Sequence, residues 1–165
     1  MKVKKQEGEI MEPRYIDLHN HTDLSNLRLL DSICTYDKLL KRAGKIGLKG
    51  ICFTEHECLS GSIKLCELRE KYPNIKIGIG NEIYLTETRE KGQKYYHFLL
   101  IAKDEKGHKQ LRELSSQSWI QSCYDRGMER VPTLLTELEK IVLKDKGHLI
   151  ATSACLAGQI SVDIL

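Results

Sequence analysis

The stretch Lys49-Gly50-Ile51-Cys52-Phe53-Thr54-Glu55-His56 reads as a short buried strand that ends on two polar residues. Before it, Thr35 can cap a helix whose apolar positions Leu39, Leu40, Ala43 and Ile46 recur at helical spacing, and Gly47 is placed to stop that helix. After it, a second helix is predicted from Ser60 or Ser62 to Tyr72, with Ile63, Leu65, Cys66 and Leu68 apolar and Pro73-Asn74 ending it. The next strand, Ile75-Lys76-Ile77-Gly78-Ile79, runs into Gly80-Asn81-Glu82. Together with Tyr15-Ile16-Asp17-Leu18 at the start, this is a strand, helix, strand, helix, strand order, which implies parallel pairing through crossover helices.

Further along, residues 94–102 read as another strand, preceded by a charged loop from Thr86 to Gln93. A long helix through Leu111, Leu114 and Trp119 should follow, then a loop containing Gly127 and Pro132. Thr133 is placed to cap a helix carrying Leu134, Leu135, Leu138, Ile141 and Val142, with Glu137 near its first turn. Residues 147–152 form the last expected strand, which delivers Ser153-Ala154-Cys155 to its end.

With 165 residues, 41% of them hydrophobic, the chain suits one domain with a real core. Its net charge of +3, from 26 basic and 23 acidic residues, is too balanced to argue by itself for nucleic-acid or membrane binding. Residues 1–13 are charged and lack a secretory apolar core, so they are expected to be a solvated leader before a domain spanning 14–165. No apolar run is long enough to span a bilayer, and a cytoplasmic protein is expected. The six cysteines, at 34, 52, 58, 66, 123 and 155, contain no Cys-x-x-Cys pair, which suggests reduced, mostly buried thiols rather than a disulfide framework.

Chemistry enters at His19-Asn20-His21, where residues two apart on a strand present both imidazoles to one side. Such a pair alone fits partly exposed strand residues as well as a metal site. His56, Glu82, His97 and Cys155 also have ordinary readings when taken singly: a surface histidine, a loop acid, a core histidine and a buried thiol. What sets them apart is that each falls in or just after a predicted strand, where α/β folds gather their sites at one rim. His108 and His148 fall at less suggestive places. Imidazole, carboxylate and thiolate together suit Zn²⁺, and Mn²⁺ or Fe²⁺ also fit. Divalent metals so held activate water and bind phosphate oxygens, which is the chemistry of phosphoester hydrolysis.

The order of these residues resembles the PHP family, the polymerase and histidinol phosphatase domain. The marks are His19-Asn20-His21-Thr22 with Ser25, Thr54-Glu55-His56, Gly80-Asn81-Glu82, His97 within Tyr-Tyr-His-Phe-Leu-Leu, and Ser153-Ala154-Cys155-Leu156. Residues 99–103, Gly107, Leu111, Leu114-Ser115-Ser116 and Gly158 narrow the likeness to the branch found in bacterial or phage DNA polymerase III alpha subunits. The resemblance implies a distorted barrel of seven strand and helix units and a cluster of up to three metals, Zn²⁺ or Mn²⁺. It assigns His19, His21 and Glu82 to the first metal, through which they would act catalytically. Glu82 would bridge to a second metal held also by His97 and Cys155, and Asp31 and His56 would hold the third, with Asp23 competing for the place of Asp31. The implied partners are the remainder of the polymerase alpha subunit and, through it, DNA. The implied activity is DNA polymerisation by the parent and metal-dependent phosphoester hydrolysis, such as a 3′–5′ exonuclease, by the domain. A structural domain bracing the polymerase and a free-standing small-molecule phosphatase are the alternatives.

Two departures from the family pattern stand out. Glu55 occupies a position where the family usually has Asp, which should alter support for the ligands rather than the ligands themselves. Leu165 comes before the late Asp-x-His pair that the family supplies, so the barrel is expected to be incomplete at its carboxyl end with an open sheet edge.

Overall fold

The computed structural model describes residues 15–165, so the leader expected at 1–13 lies outside the described residues. A six-stranded mixed sheet organises the chain in the order β1 (Ile16–Asp17), β2 (Gly50–His56), β3 (Lys76–Thr86), β4 (Tyr96–Ala102), β8 (Leu149–Thr152), and β7 (Pro132–Leu134) adds to β3 beyond the end of β2. Between these strands run α1 (Tyr36–Lys45), α2 (Ser62–Lys71), α3 (Glu105–Ile120) and α4 (Leu135–Lys144), with α5 (Gln159–Ile164) after β8. A small hairpin of β5 (Cys123–Asp125) and β6 (Met128–Arg130) stands apart. Among the described residues β1, β7 and β8 each pair with one strand only, so the α/β sheet is open rather than a closed barrel.

Side chains alternate across each strand, and α1 to α4 pack against one face. Ile51 and Phe53 of β2 and Ile77 and Ile79 of β3 point to that outer face, where they join Leu40, Leu65 and Leu68 from α1 and α2. Farther along the same face of β3, Ile83 and Leu85 meet Leu111 and Leu114 of α3 and Leu138 and Ile141 of α4. The intervening positions of β3 are Gly78, Gly80, Glu82 and Tyr84, so the inner face carries small residues first and chemistry afterwards. At Gly80 a Cβ would lie 2.6 Å from the Leu100 carbonyl oxygen and 2.8 Å from Thr54 Cγ2, which requires glycine between β2 and β4.

Parallel pairing holds for β1, β2 and β3 and fails at β4, which is antiparallel to both β3 and β8. The segment between β3 and β4 contains no helix to carry a crossover, so the chain turns back on itself. The reversal puts His97, near the amino end of β4, opposite Tyr84 near the carboxyl end of β3, at the same rim as His56 and Glu82.

Thr35 caps α1 by accepting from the Lys38 amide at 3.3 Å, and Gly47, with φ of 75°, follows its end as expected. Thr133 does not cap α4. It is buried in β7, where its hydroxyl lies 2.8 Å from that of Ser118, and Glu137 instead reaches back to the Leu134 amide at 3.2 Å. The expected loop around Gly127 is the β5–β6 hairpin. All six cysteines are free, but only Cys52 and Cys58 are buried, so the expectation that most are buried is corrected.

Candidate metal centre

His19, His21, Asp31, His56, Glu82, His97 and Cys155 line one cleft of about 360 Å³, together with Leu29. The sheet register accounts for most of this meeting: His56 pairs with Glu82 across β2 and β3, and Tyr84 pairs with His97 across β3 and β4. His19 and His21 follow β1, whose neighbour is β2. Asp31 arrives on the loop after a 3-10 turn at Asp23–Leu27, and Asp31 Oδ2 lies 2.7 Å from His56 Nε2. Asp23 does not line the cleft; it borders a separate groove beside α1 and α2.

Glu82 is the hub, with a side chain that is fully buried. Its Oε1 lies 2.8 Å from His97 Nδ1, while Oε2 lies 2.8 Å from His56 Nδ1, 3.1 Å from His21 Nε2 and 3.6 Å from His19 Nε2. Despite this crowding, Oε2 makes no hydrogen bond of acceptable geometry. The nitrogens of His19 and His21 are also only 2.9 Å apart, and Cys155 Sγ lies 3.4 Å from His97 Nδ1. Donor atoms of His19, His21 and Glu82, and separately of His56, Glu82 and His97, are close enough to hold a metal ion.

Hydrogen bonds around Ser25 define what His21 presents to the cleft. The Glu55 carboxylate accepts from the Thr22 amide at 2.9 Å, from the Thr22 hydroxyl at 2.7 Å and from the Ser25 hydroxyl. The single Ser25 proton is thereby committed, so Ser25 Oγ can only accept from the His56 amide at 3.2 Å and from His21 Nδ1 at 3.1 Å. A neutral His21 therefore carries its proton on Nδ1 and turns the lone pair of Nε2 toward Glu82 and His19. Lone pairs facing a carboxylate repel it unless a proton or cation lies among them. The donor set thus fits a divalent ion, and Glu55, through Thr22 and Ser25, holds His21 in this orientation.

Burial alone would push the Glu82 carboxyl up, but positive charge or N–H groups turned to it from the surrounding histidines hold it well below the usual carboxylate range, and a bound cation would act in the same direction. Burial pulls His56 down, and its contacts with Glu82 and Asp31 together outweigh that pull and raise it.

Three participants were not picked out from the sequence. Tyr84 is buried, with its hydroxyl 3.3 Å from His56 Nδ1 and its ring stacked 4.4 Å from that of His97. Its place two residues after Glu82 on one strand was the available signal. Arg28 and Glu57 form a buried ion pair at 2.8 Å, and the Glu57 carbonyl accepts from Trp119 Nε1 at 2.8 Å. Glu57 follows His56 in the left-handed region, with φ of 53°, so the pair anchors the bend just past a cleft residue. Burial pushes the Glu57 carboxyl up although Arg28 opposes it. No local pattern announces a pair so distant in sequence.

The PHP domain model matches residues 17–164, and the chain belongs to the PHP domain family. It is 42% identical over 165 residues to the DNA-directed DNA polymerase of Bacillus phage SPbeta, covering 91% of this chain and 13% of that protein. It is 36% identical over 154 residues to the DNA polymerase III subunit alpha of Borreliella burgdorferi, covering 89% of this chain and 12% of that one. The chain thus spans about an eighth of the length of these relatives, and the match falls on their amino-terminal region. Among solved structures, an amidohydrolase from Chromobacterium violaceum is similar at a TM-score of 0.42 and 20% identity, over 60% of this chain and 32% of that one. No helix among the described residues is long and apolar enough to cross a membrane.

Proposed function

We propose that the chain forms the PHP portion of a DNA polymerase III-type alpha subunit and that its cleft hydrolyses phosphoesters, with the 3′ end of a DNA strand as substrate. The observation that carries this reading is the buried Glu82 carboxylate, ringed by four histidines and left with an oxygen in no hydrogen bond. His19, His21 and Glu82 would hold a first divalent ion, Glu82, His97 and Cys155 a second, and Asp31 and His56 a third. Zn²⁺ suits the imidazole and thiolate donors best, and Mn²⁺ or Fe²⁺ suits the carboxylate-rich side. Such ions supply an activated water and neutralise phosphate charge.

The protein's own residues prepare the cleft for that role. Ser25 fixes the His21 tautomer, Glu55 ties Thr22 and Ser25 in place, and Tyr84 stacks on His97. The remainder of the alpha subunit would be the partner, would carry polymerisation and would bring DNA to the cleft, in the cytoplasm.

The test is cleavage of a 5′-labelled single-stranded DNA by the full chain, loaded in turn with Zn²⁺ and Mn²⁺. The expected result is metal-dependent shortening from the 3′ end that His19→Ala reduces at least 100-fold, roughly the scale of losing a catalytic group. No shortening with either ion, with His19→Ala changing only the melting temperature, would instead favour a bracing domain without hydrolysis.

A further inference from the structure

Beside the metal cleft, and sharing His97 with it, lies a second recess of about 300 Å³. Its walls differ sharply in chemistry from those of the cleft. Tyr84, Tyr95 and Tyr96 supply three aromatic rings, while Lys94, Arg126 and Arg130 supply three cations, and no acidic side chain lines it among the described residues. Arg130 sits over the Tyr95 ring, 5.4 Å from its centroid, and has no carboxylate partner among the described residues. Lys94 likewise has none among them, and Arg126 makes only a 3.3 Å bond to the Gln93 carbonyl and a loose 3.8 Å contact with Asp125. The cations come from two elements, the lead-in to β4 and the β5–β6 hairpin, so the fold converges them on one spot.

We propose that this recess is a nucleotide subsite, which takes a phosphate and its adjoining base from a single strand whose end lies in the metal cleft. The proposal rests on the phosphoester reading above and adds to it the contacts that select a nucleic acid. Lys94, Arg130 and the loosely held Arg126 provide the attraction for a phosphate, and Tyr96, which has no ring or cation contact among the described residues, provides a face on which any base can stack. The volume lies at the small end of ligand pockets and suits one nucleotide rather than a duplex. Its place next to His97 lets an anion be held without crowding the carboxylates that line the cleft.

The experiment measures binding of a fluorescent single-stranded oligodeoxythymidylate to the full chain by anisotropy across a salt series, with divalent-metal titration run on the same samples. The double charge reversal Lys94→Glu/Arg126→Glu alters two exposed side chains and should leave the fold intact. It should weaken binding at least tenfold and flatten the slope of log K against log salt by about 1.4, the contribution of two phosphate contacts on a single strand. An abasic strand of equal length should bind about tenfold more weakly than the thymidylate, as expected for loss of one stacked base. Unchanged oligonucleotide binding in the double variant, with metal binding intact, would overturn the subsite and leave the metal centre standing. Absence of metal binding, with oligonucleotide binding still dependent on Lys94 and Arg126, would overturn the hydrolytic reading and leave the subsite. Equal binding of abasic and thymidylate strands would refute the stacking role of Tyr96.

Discussion

Two clusters of histidine and carboxylate occupy opposite rims of the sheet. At one rim Glu82 is buried among four histidines. At the other, His148, just before β8, lies between Asp104 at 2.7 Å and Asp145 at 3.1 Å. The ingredients are the same, but the second cluster is a solvent-facing clamp in which each ring nitrogen can donate to its own carboxylate. Asp104 raises His148, and His148 in turn lowers Asp104. In the first cluster His21 turns a lone pair rather than a proton toward the acid, and Glu82 Oε2 is left in no hydrogen bond. Burial and hydrogen-bond supply, rather than composition, separate the two clusters.

Two substitutions on the metal side should have the largest effects. Supporting partners of ligands typically account for about 10- to 100-fold in affinity, so Ser25→Ala should weaken metal binding by about that much, because His21 loses its fixed tautomer. Glu82→Gln, which alters the shared ligand itself, should exceed 100-fold and abolish the rise in melting temperature on adding Zn²⁺. Isothermal titration and thermal melts with and without the ion would check both. If Ser25→Ala were silent and Glu82→Gln merely lowered stability, the contrast between the rims would collapse.

The clamp should give a smaller effect with the opposite dependence on pH. His148 is raised above its ordinary 6.5, so its contribution is complete below that value and disappears as pH rises through the raised one. Asp104 is lowered from its ordinary 3.8, so its contribution is present above that value and disappears as pH falls through the lowered one. His148→Gln should therefore lower the melting temperature by a few degrees at most between about pH 4 and 6.5, and leave it unchanged well above neutrality. Metal-dependent stabilisation should instead fade toward acid, because protons compete with a metal for its donor atoms. Melts across pH with and without Zn²⁺ would separate the two trends.

Much of this was legible in the sequence because it is local. Strand and helix order through β3 followed from apolar spacing, and Thr35 and Gly47 marked α1 by short-range chemistry. The ligand-capable residues stood out because they fell at strand ends in a family order. Strand direction, by contrast, has no local signature, and the reversal at β4 is what brings His97 to the cleft rim. The β5–β6 hairpin escaped notice because its strands lack alternating apolar residues. Its turn uses Arg126 and Gly127 at φ of 52° and 79°, and only the glycine advertises that conformation. Arg28 with Glu57, and Lys94 with Arg130, are joined only by the fold.

The most direct test of the metal centre is titration of the metal-free full chain with Co²⁺, followed by absorption spectroscopy. Saturable binding is expected, with a thiolate-to-cobalt charge-transfer band that Cys155→Ser removes and visible ligand-field bands that Glu82→Gln removes. Absence of saturable binding, or spectra that neither substitution alters, would contradict the metal centre.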